Sequence, residues 1–194
     1  MQRTFWAQVS LECHFKYIWT PTHLNQADAM TRENLDNDVR LVKRAFLKVW
    51  RTYGPFDTDL MASPANVQED LQGNKLPFYS QYFTEQAWAT DVFSVDICVR
   101  PGYPKGSKRA ANYCFPPMGT IGLLVEHTRN CKAKCVIIAP EMNANWLPAI
   151  MAGCISKMTV AEPGEEDVFL RYEKGEMKEF KSRYKIIAYL VRFD

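Results

Sequence analysis

Asn112-Tyr113-Cys114-Phe115-Pro116-Pro117-Met118 decides how this chain is read. A polar loop, Lys105 to Ala111, leads into it, and a helical pattern from Thr120 to Arg129 leads out. Pro116 and Pro117 fix two successive φ angles near about −65° and remove two backbone donors. Pro116 also biases Phe115 towards an extended conformation. The stretch therefore reads as a stiff elbow that ends a strand. Elbows at the carboxyl ends of strands are where open α/β sheets hold ligands. The same residues also suit a rigid strand-to-helix turn with Phe115 in the core.

Downstream, Ile121, Leu124, Val125 and Thr128 form the apolar stripe of a helix laid on a sheet. The run Cys135-Val136-Ile137-Ile138-Ala139 is apolar throughout, which predicts a buried, parallel, central strand beside the strand that ends at Phe115. Pro140 closes it, and Asn145 to Ile150 reads as a short helix. Ile155 to Val160 reads as a further strand. Val168–Tyr172 and Tyr184–Phe193 read as a closing antiparallel pair.

Upstream, Asn34 to Tyr53 reads as the strongest helix, with Val39, Val42, Phe46, Val49, Trp50 and Tyr53 on one stripe. Asn34 or Asp36 is expected to cap it, and Gly54-Pro55 to stop it. The opposite face carries Arg40, Lys43, Arg44, Lys48 and Arg51. It is either a phosphate-tracking surface or a solvated face. Phe56 to Met61 reads as a short strand, followed by a turn at Ala62-Ser63-Pro64-Ala65-Asn66 that lacks a glycine-rich segment. The aromatics of Leu76 to Phe83 either stack bases or pack a loop-rich edge. Asp91 to Asp96 alternates like a strand, but its two acids fall on opposite faces, so no catalytic pair is drawn from them. Arg100 to Arg109 is a basic Gly/Pro loop containing Lys105, Lys108 and Arg109.

Strands alternating with helices predict an α/β layer fold. The 194 residues, 47% of them hydrophobic, suffice for one full core, with or without a small appendage. A net charge of +2 confines any nucleic-acid surface to local patches. No apolar run reaches the roughly 20 residues of a membrane span, and no secretory signal is visible at the start. The six cysteines read as reduced thiols of an intracellular protein, nuclear or cytoplasmic. Cys131-x3-Cys135 has no second ligand pair at zinc-like spacing, so no metal is expected.

Two resemblances complete the reading. Cys13 to Arg32, a strand pattern over Cys13–Trp19 followed by His23, Asn25, Ala27-Asp28 and Thr31-Arg32, resembles the end of retroelement ribonuclease H domains. Asp28 would match a metal-binding carboxylate there. The family's other carboxylates have no room in this chain, so no ribonuclease H activity is expected.

From Phe46 to Ala152 the chain resembles the region that follows ribonuclease H in DIRS-type tyrosine-recombinase retrotransposons. The match runs through Tyr53-Gly54-Pro55-Phe56-Asp57-Thr58-Asp59-Leu60-Met61-Ala62-Ser63-Pro64-Ala65-Asn66. It continues through Tyr79-Ser80, Asp91-Val92-Phe93, Asp96, Phe115-Pro116-Pro117, Pro140 and Trp146-Leu147-Pro148. That region is in turn similar to phage-type adenine-N6 DNA methyltransferases.

The resemblance implies a Rossmann-like methyltransferase-type sheet over 34–194, preceded by a ribonuclease H remnant over 1–33. It places Asp59 and Asn66 near an S-adenosylmethionine pocket and Phe115, Pro116 and Pro117 at the catalytic elbow. The family's elbow begins with Asn or Asp and continues past the prolines with an aromatic residue; here Phe115 and Met118 stand there. The expectation is a degenerate methyltransferase-like domain of a retroelement, or of a host protein derived from one. It would bind nucleic acid, a protein partner or a second copy of itself. Arg40, Arg44, Arg51, Lys105, Lys108 and Arg109 are its candidate phosphate contacts. The alternative is an active S-adenosylmethionine-dependent adenine methyltransferase.

Overall fold

The computed structural model describes residues 38–102, 110–173 and 176–193. The chain divides into two units, Met1–Asn34 and Leu35–Asp194, and the described residues all belong to the second. The readings of 1–33, of Asn34 and Asp36 as caps, and of Lys105, Lys108 and Arg109 lie outside the described residues.

In chain order the elements begin with β1 (Val39–Leu41), α1 (Lys43–Tyr53), β2 (Thr58–Asp59), β3 (Tyr79–Ser80), β4 (Ala89–Thr90) and β5 (Ala111–Cys114). They continue with α2 (Ile121–Asn130), β6 (Lys134–Pro140), α3 (Leu147–Gly153), β7 (Cys154–Ala161), β8 (Phe169–Glu173), β9 (Glu176–Phe180) and β10 (Ile186–Arg192).

The apolar run Cys135–Ala139 lies within β6, pairs in parallel with β5, and is buried throughout. Its residues alternate between two cores. Val136 and Ile138 meet α1 residues such as Phe46 and Val49, while Cys135, Ile137 and Ala139 meet Leu124 and Val125 of α2. A strand covered on both faces needs apolar residues at every position, which is why the run does not alternate.

The main sheet has the order β2-β5-β6-β10-β7. β2, β5 and β6 are parallel, and β10 runs antiparallel between β6 and β7. A parallel bridge between Asp59 and Phe78, with the Ala62 N–H donating to the Tyr79 carbonyl at 3.1 Å, extends the sheet through β3 to β4. The parallel strands thus follow the order β4-β3-β2-β5-β6. The chain leaves β2 in one direction and returns to β5 on the other side, an order compatible with a Rossmann-like sheet. β1, β8 and β9 form a second, antiparallel sheet.

Three readings are corrected. The helix expected from Asn34 begins only at Lys43, because Val39–Leu41 pairs with β8 and the Val42 N–H continues that ladder to the Val168 carbonyl at 2.9 Å. Long-range pairing thus overrides a helical periodicity that β-branched Val39 and Val42 supported only weakly. Asp91–Asp96 is not a strand but a single 3₁₀ turn over Val92–Ser94; Asp91 caps it by accepting from the Phe93 N–H at 3.1 Å. Finally, β8 and β10 do not pair with each other. β8 joins β1 and β9, whereas β10 fills the gap between β6 and β7.

The remaining elements match their patterns. Ile121, Leu124, Val125 and Thr128 are the buried residues of α2. Gly54 ends α1, where its N–H reaches the Trp50 carbonyl at 2.8 Å. A Cβ there would stand 2.6 Å from that oxygen, so only glycine fits.

Candidate functional site

The reversal of strand order between β2 and β5 brings Leu60-Met61-Ala62 and Phe115-Pro116-Pro117 side by side at the carboxyl ends. The Leu60 N–H donates to the Tyr113 carbonyl at 2.9 Å, and the Thr120 hydroxyl donates to the Pro117 carbonyl at 2.8 Å. Met61 Sδ lies 3.8 Å from the same hydroxyl. The elbow is therefore formed and tied to the end of β2.

Phe115 does not project freely from that elbow. Its ring packs on Phe169 of β8 with centroids 6.0 Å apart, and Phe169 packs on Phe180 of β9 at 6.3 Å. The second sheet thus draws the first elbow residue into a core that contains Leu41 and Phe169. Pro116 is buried, Pro117 is exposed, and Met118 is 55% exposed.

Asp59 ends β2 and is buried at 3% exposure. Its carboxylate accepts from the Gln68 N–H at 3.1 Å, so it closes its own loop from beneath. Burial pushes its carboxyl up to about 7, against hydrogen bonds from the Gln68 and Met61 backbone and the charge of Arg40. Tyr113 is its register partner on β5. The Tyr113 hydroxyl, Gln68 Oε1 and Arg40 Nε are buried without a hydrogen-bond partner in good geometry, although the Gln68 side chain is close enough to bias the phenol. Burial raises the phenol pKa well above its ordinary value, and the Asp59 charge adds to that.

Asn66 has a local task. Its Oδ1 accepts from the Ser63 N–H at 2.7 Å and from the Ser63 hydroxyl at 3.3 Å; its Nδ2 donates to the Val39 carbonyl at 3.5 Å. The Ser63 hydroxyl also bonds Asp38, whose carboxyl is raised by burial. Asp59 and Asn66 therefore flank one loop, but each is used inside the fold. Gln68 and Tyr113 were not singled out from the sequence. Tyr113 lies inside the elbow stretch, yet only the register with β2 pairs it with Asp59.

The basic set divides. Arg40 leaves it, because it lies on β1, half-buried, with its charge acting on Asp59 and its Nε inside the protein. Arg44 and Arg51 are exposed on α1 together with Lys43 and Lys48. Arg44, Lys48 and Arg51, at i, i+4 and i+7, form one stripe. No ion pair involves these four side chains among the described residues. In the aromatic segment, Phe78 and Tyr79 are buried, whereas Tyr82 is 44% exposed and Phe83 83%.

Among the described residues no group of three or more His, Cys, Asp or Glu side chains is placed to hold a metal ion. No described helix is long and apolar enough to cross a membrane. No protein-family model matches the chain, and no curated protein matches it either.

Proposed function

We propose that residues 34–194 are a degenerate methyltransferase-like module, of the kind that follows ribonuclease H in DIRS-type retroelements, and that it works by binding nucleic acid. The observation that carries this reading is the ring of Phe115. Methylating an exocyclic amine requires an acceptor at the elbow, and this position instead supplies a ring packed against Phe169. Losing one preorganised polar group at a reacting centre costs about a hundredfold or more in rate.

The residues beside the elbow do not fit S-adenosylmethionine. Leu60 and Ala62 fill the turn after β2 with buried side chains where a close-approaching ligand would need bare backbone. The Asp59 carboxylate faces inward to Gln68, and Asn66 is engaged with Ser63. The sheet order and the acid at the end of β2 support common ancestry with such enzymes rather than retained activity. Nucleic-acid binding rests on the Arg44–Lys48–Arg51 stripe, whose exposed cations have no acidic neighbour in the first turn of α1.

The test has two parts. Fluorescence polarisation with a labelled DNA oligonucleotide should show binding that weakens with salt. Replacing Arg44 and Lys48 by Ala should lower the salt slope by about two. Absence of binding at low salt would overturn the nucleic-acid reading. Transfer of labelled methyl groups to unmethylated DNA should be undetectable for the unmodified chain. Robust transfer would overturn the degenerate reading, and transfer appearing only with Phe115→Asn would locate the decay in the elbow alone.

A further inference from the structure

Four consecutive residues, Val95 to Cys98, clasp the carboxyl-terminal end of α2. The Val95 carbonyl lies 3.0 Å from His127 Nε2. A carbonyl only accepts, so Nε2 carries a hydrogen in this contact, and Nδ1 is the ring nitrogen that can serve as an acceptor. Cys131 is the residue that caps α2, and its Sγ lies 3.7 Å from Nε2 and 4.0 Å from Nδ1. Asp96 and the Ile97 backbone both bear on the Cys131 thiol. Cys98 completes the clasp, with its Sγ donating to the Cys131 carbonyl at 2.7 Å. Asp96 Oδ1 fixes that approach by accepting from the Cys98 N–H at 2.9 Å. Phe93 stands edge-on to the His127 ring at 5.7 Å and holds its orientation.

The placement of these thiols differs from that of Cys114 and Cys135. Cys114 and Cys135 are fully buried, and burial holds both thiols far above their ordinary range, so they are inert. Cys98 and Cys131 are only half-buried. Burial pushes the Cys131 thiol up and the Asp96 charge adds to it, while the Ile97 N–H opposes them. No disulfide joins the two in the structure. The Cys98 sulfur already touches the Cys131 carbonyl, so the two residues are neighbours, and a disulfide requires their side chains to turn towards each other.

We propose that Cys131 and Cys98 are a site of reversible oxidation, at which a peroxide converts the two thiols into a disulfide. The Cys131 thiol gives its proton to His127 Nδ1, and the sulfur attacks a peroxide oxygen. The O–O bond breaks, the leaving oxygen takes that proton away as water or alcohol, and Cys131 becomes a sulfenic acid. The Cys98 sulfur then attacks the Cys131 sulfur. The S–O bond breaks, and the departing hydroxide takes the Cys98 proton as a second water. Peroxide is reduced by two electrons, which the two thiols supply. A thiol reductant reverses the disulfide by exchange.

The consequence is local and directed. The Ala110 N–H donates to the Cys98 carbonyl at 3.0 Å, so Cys98 lies beside the start of the approach to β5. The disulfide would pin that approach to the end of α2.

The test treats the whole chain with hydrogen peroxide and maps peptides without reduction. A Cys98–Cys131 linked pair should form and should disappear with dithiothreitol. Cys98→Ser should stop the reaction at a Cys131 sulfenic acid that a dione reagent traps, and Cys131→Ser should abolish both products. His127→Gln, whose amide can still donate to Val95, should slow oxidation by about a hundredfold. Asp96→Asn should speed it, because the opposing charge is gone while the acceptor for Cys98 remains. Melting temperatures of the reduced variants identify any that fail to fold. Linkage appearing only after unfolding would overturn the proposal. So would labelling of Cys114 or Cys135 at the same rate, or unchanged rates in folded His127→Gln and Asp96→Asn proteins.

Discussion

Two neighbouring residue pairs, Thr58 with Asn112 and Asp59 with Tyr113, cross the same two strands in register and are treated in opposite ways. The first pair faces the α2 side. Asn112 Oδ1 accepts from the Thr58 hydroxyl at 2.6 Å, and its Nδ2 donates to the Ile97 carbonyl at 3.0 Å and the Lys134 carbonyl at 2.9 Å. Each of those contacts joins a different segment, so one amide ties β2, the 95–98 clasp and β6 to β5. The second pair faces the α1 side, where Phe46 sits edge-on to Tyr113 at 5.0 Å. Here a carboxyl is raised to about 7, and a phenol and an amide oxygen are buried without a well-aligned partner. Buried polar groups are nearly always satisfied, and a local failure marks a place where another requirement acts or once acted. The first pair is built for stability. The second lies beside the point where the strand order reverses between β2 and β5.

The contrast can be broken experimentally, and the largest effect belongs to the satisfied pair. Asn112→Ala would strand the Thr58 hydroxyl and two carbonyls inside the protein. At about 1–3 kcal/mol for each buried group, a loss of about 4 kcal/mol is expected in urea unfolding. A loss below about 1 kcal/mol would mean that water takes over the role of the amide.

Next in size is Asp59→Asn, and its sign depends on pH. The carboxyl titrates near 3.8 in the unfolded chain and near about 7 in the folded one, so the folded state holds the proton more tightly. That contribution is complete below about pH 4 and is lost as pH rises to about 7. Water entering around the ionised carboxylate offsets part of the loss. The amide variant, which still accepts from Gln68, should be more stable than the unmodified protein at pH 8 by on the order of 2 kcal/mol. Near about pH 3.5 it should be little changed, and the gap should open as pH rises from about 4 to about 7. Parallel stability curves against pH for the two proteins would show that Asp59 is ionised in the fold without penalty. The smallest effect is that of Tyr113→Phe, which removes an unpaired hydroxyl and should be neutral or stabilising by up to about 1 kcal/mol. A clear destabilisation would reveal a partner for that hydroxyl.

Part of the candidate site was legible. The elbow was identified from its own prolines, whereas Asp59 and Asn66 were implied by the family resemblance; Asp59 lies on β2 beside Tyr113 of β5, just before the elbow. Their roles were not legible, because each role depends on a partner far along the chain. Phe115 reads as a decayed catalytic residue or a core residue according to whether an aromatic ring stands opposite, and that ring is Phe169 on a different sheet. Arg40 read as a surface cation because helical periodicity continued through it, and only the pairing of β1 with β8 turned it inward. The Cys98–Cys131–His127 cluster had no sequence signal at all, since the two cysteines are 33 residues apart and meet only through the packing of the clasp on α2.

The sequence by itself determined the elements whose cause is local. The stripe of α2, the unbroken apolar run of β6, the glycine stop of α1 and the proline elbow all follow from side-chain periodicity or fixed backbone angles, which act within one or two turns of chain. Only the tertiary structure decided which strands would lie together. It placed β10 in reverse between β6 and β7, turned Val39–Leu41 from helix into strand, and set Phe115 against Phe169. Those outcomes depend on hydrogen-bond ladders and shared cores between residues far apart along the chain. No local preference encodes them, and a ladder formed at that distance outweighs the few tenths of a kcal/mol by which propensities typically differ.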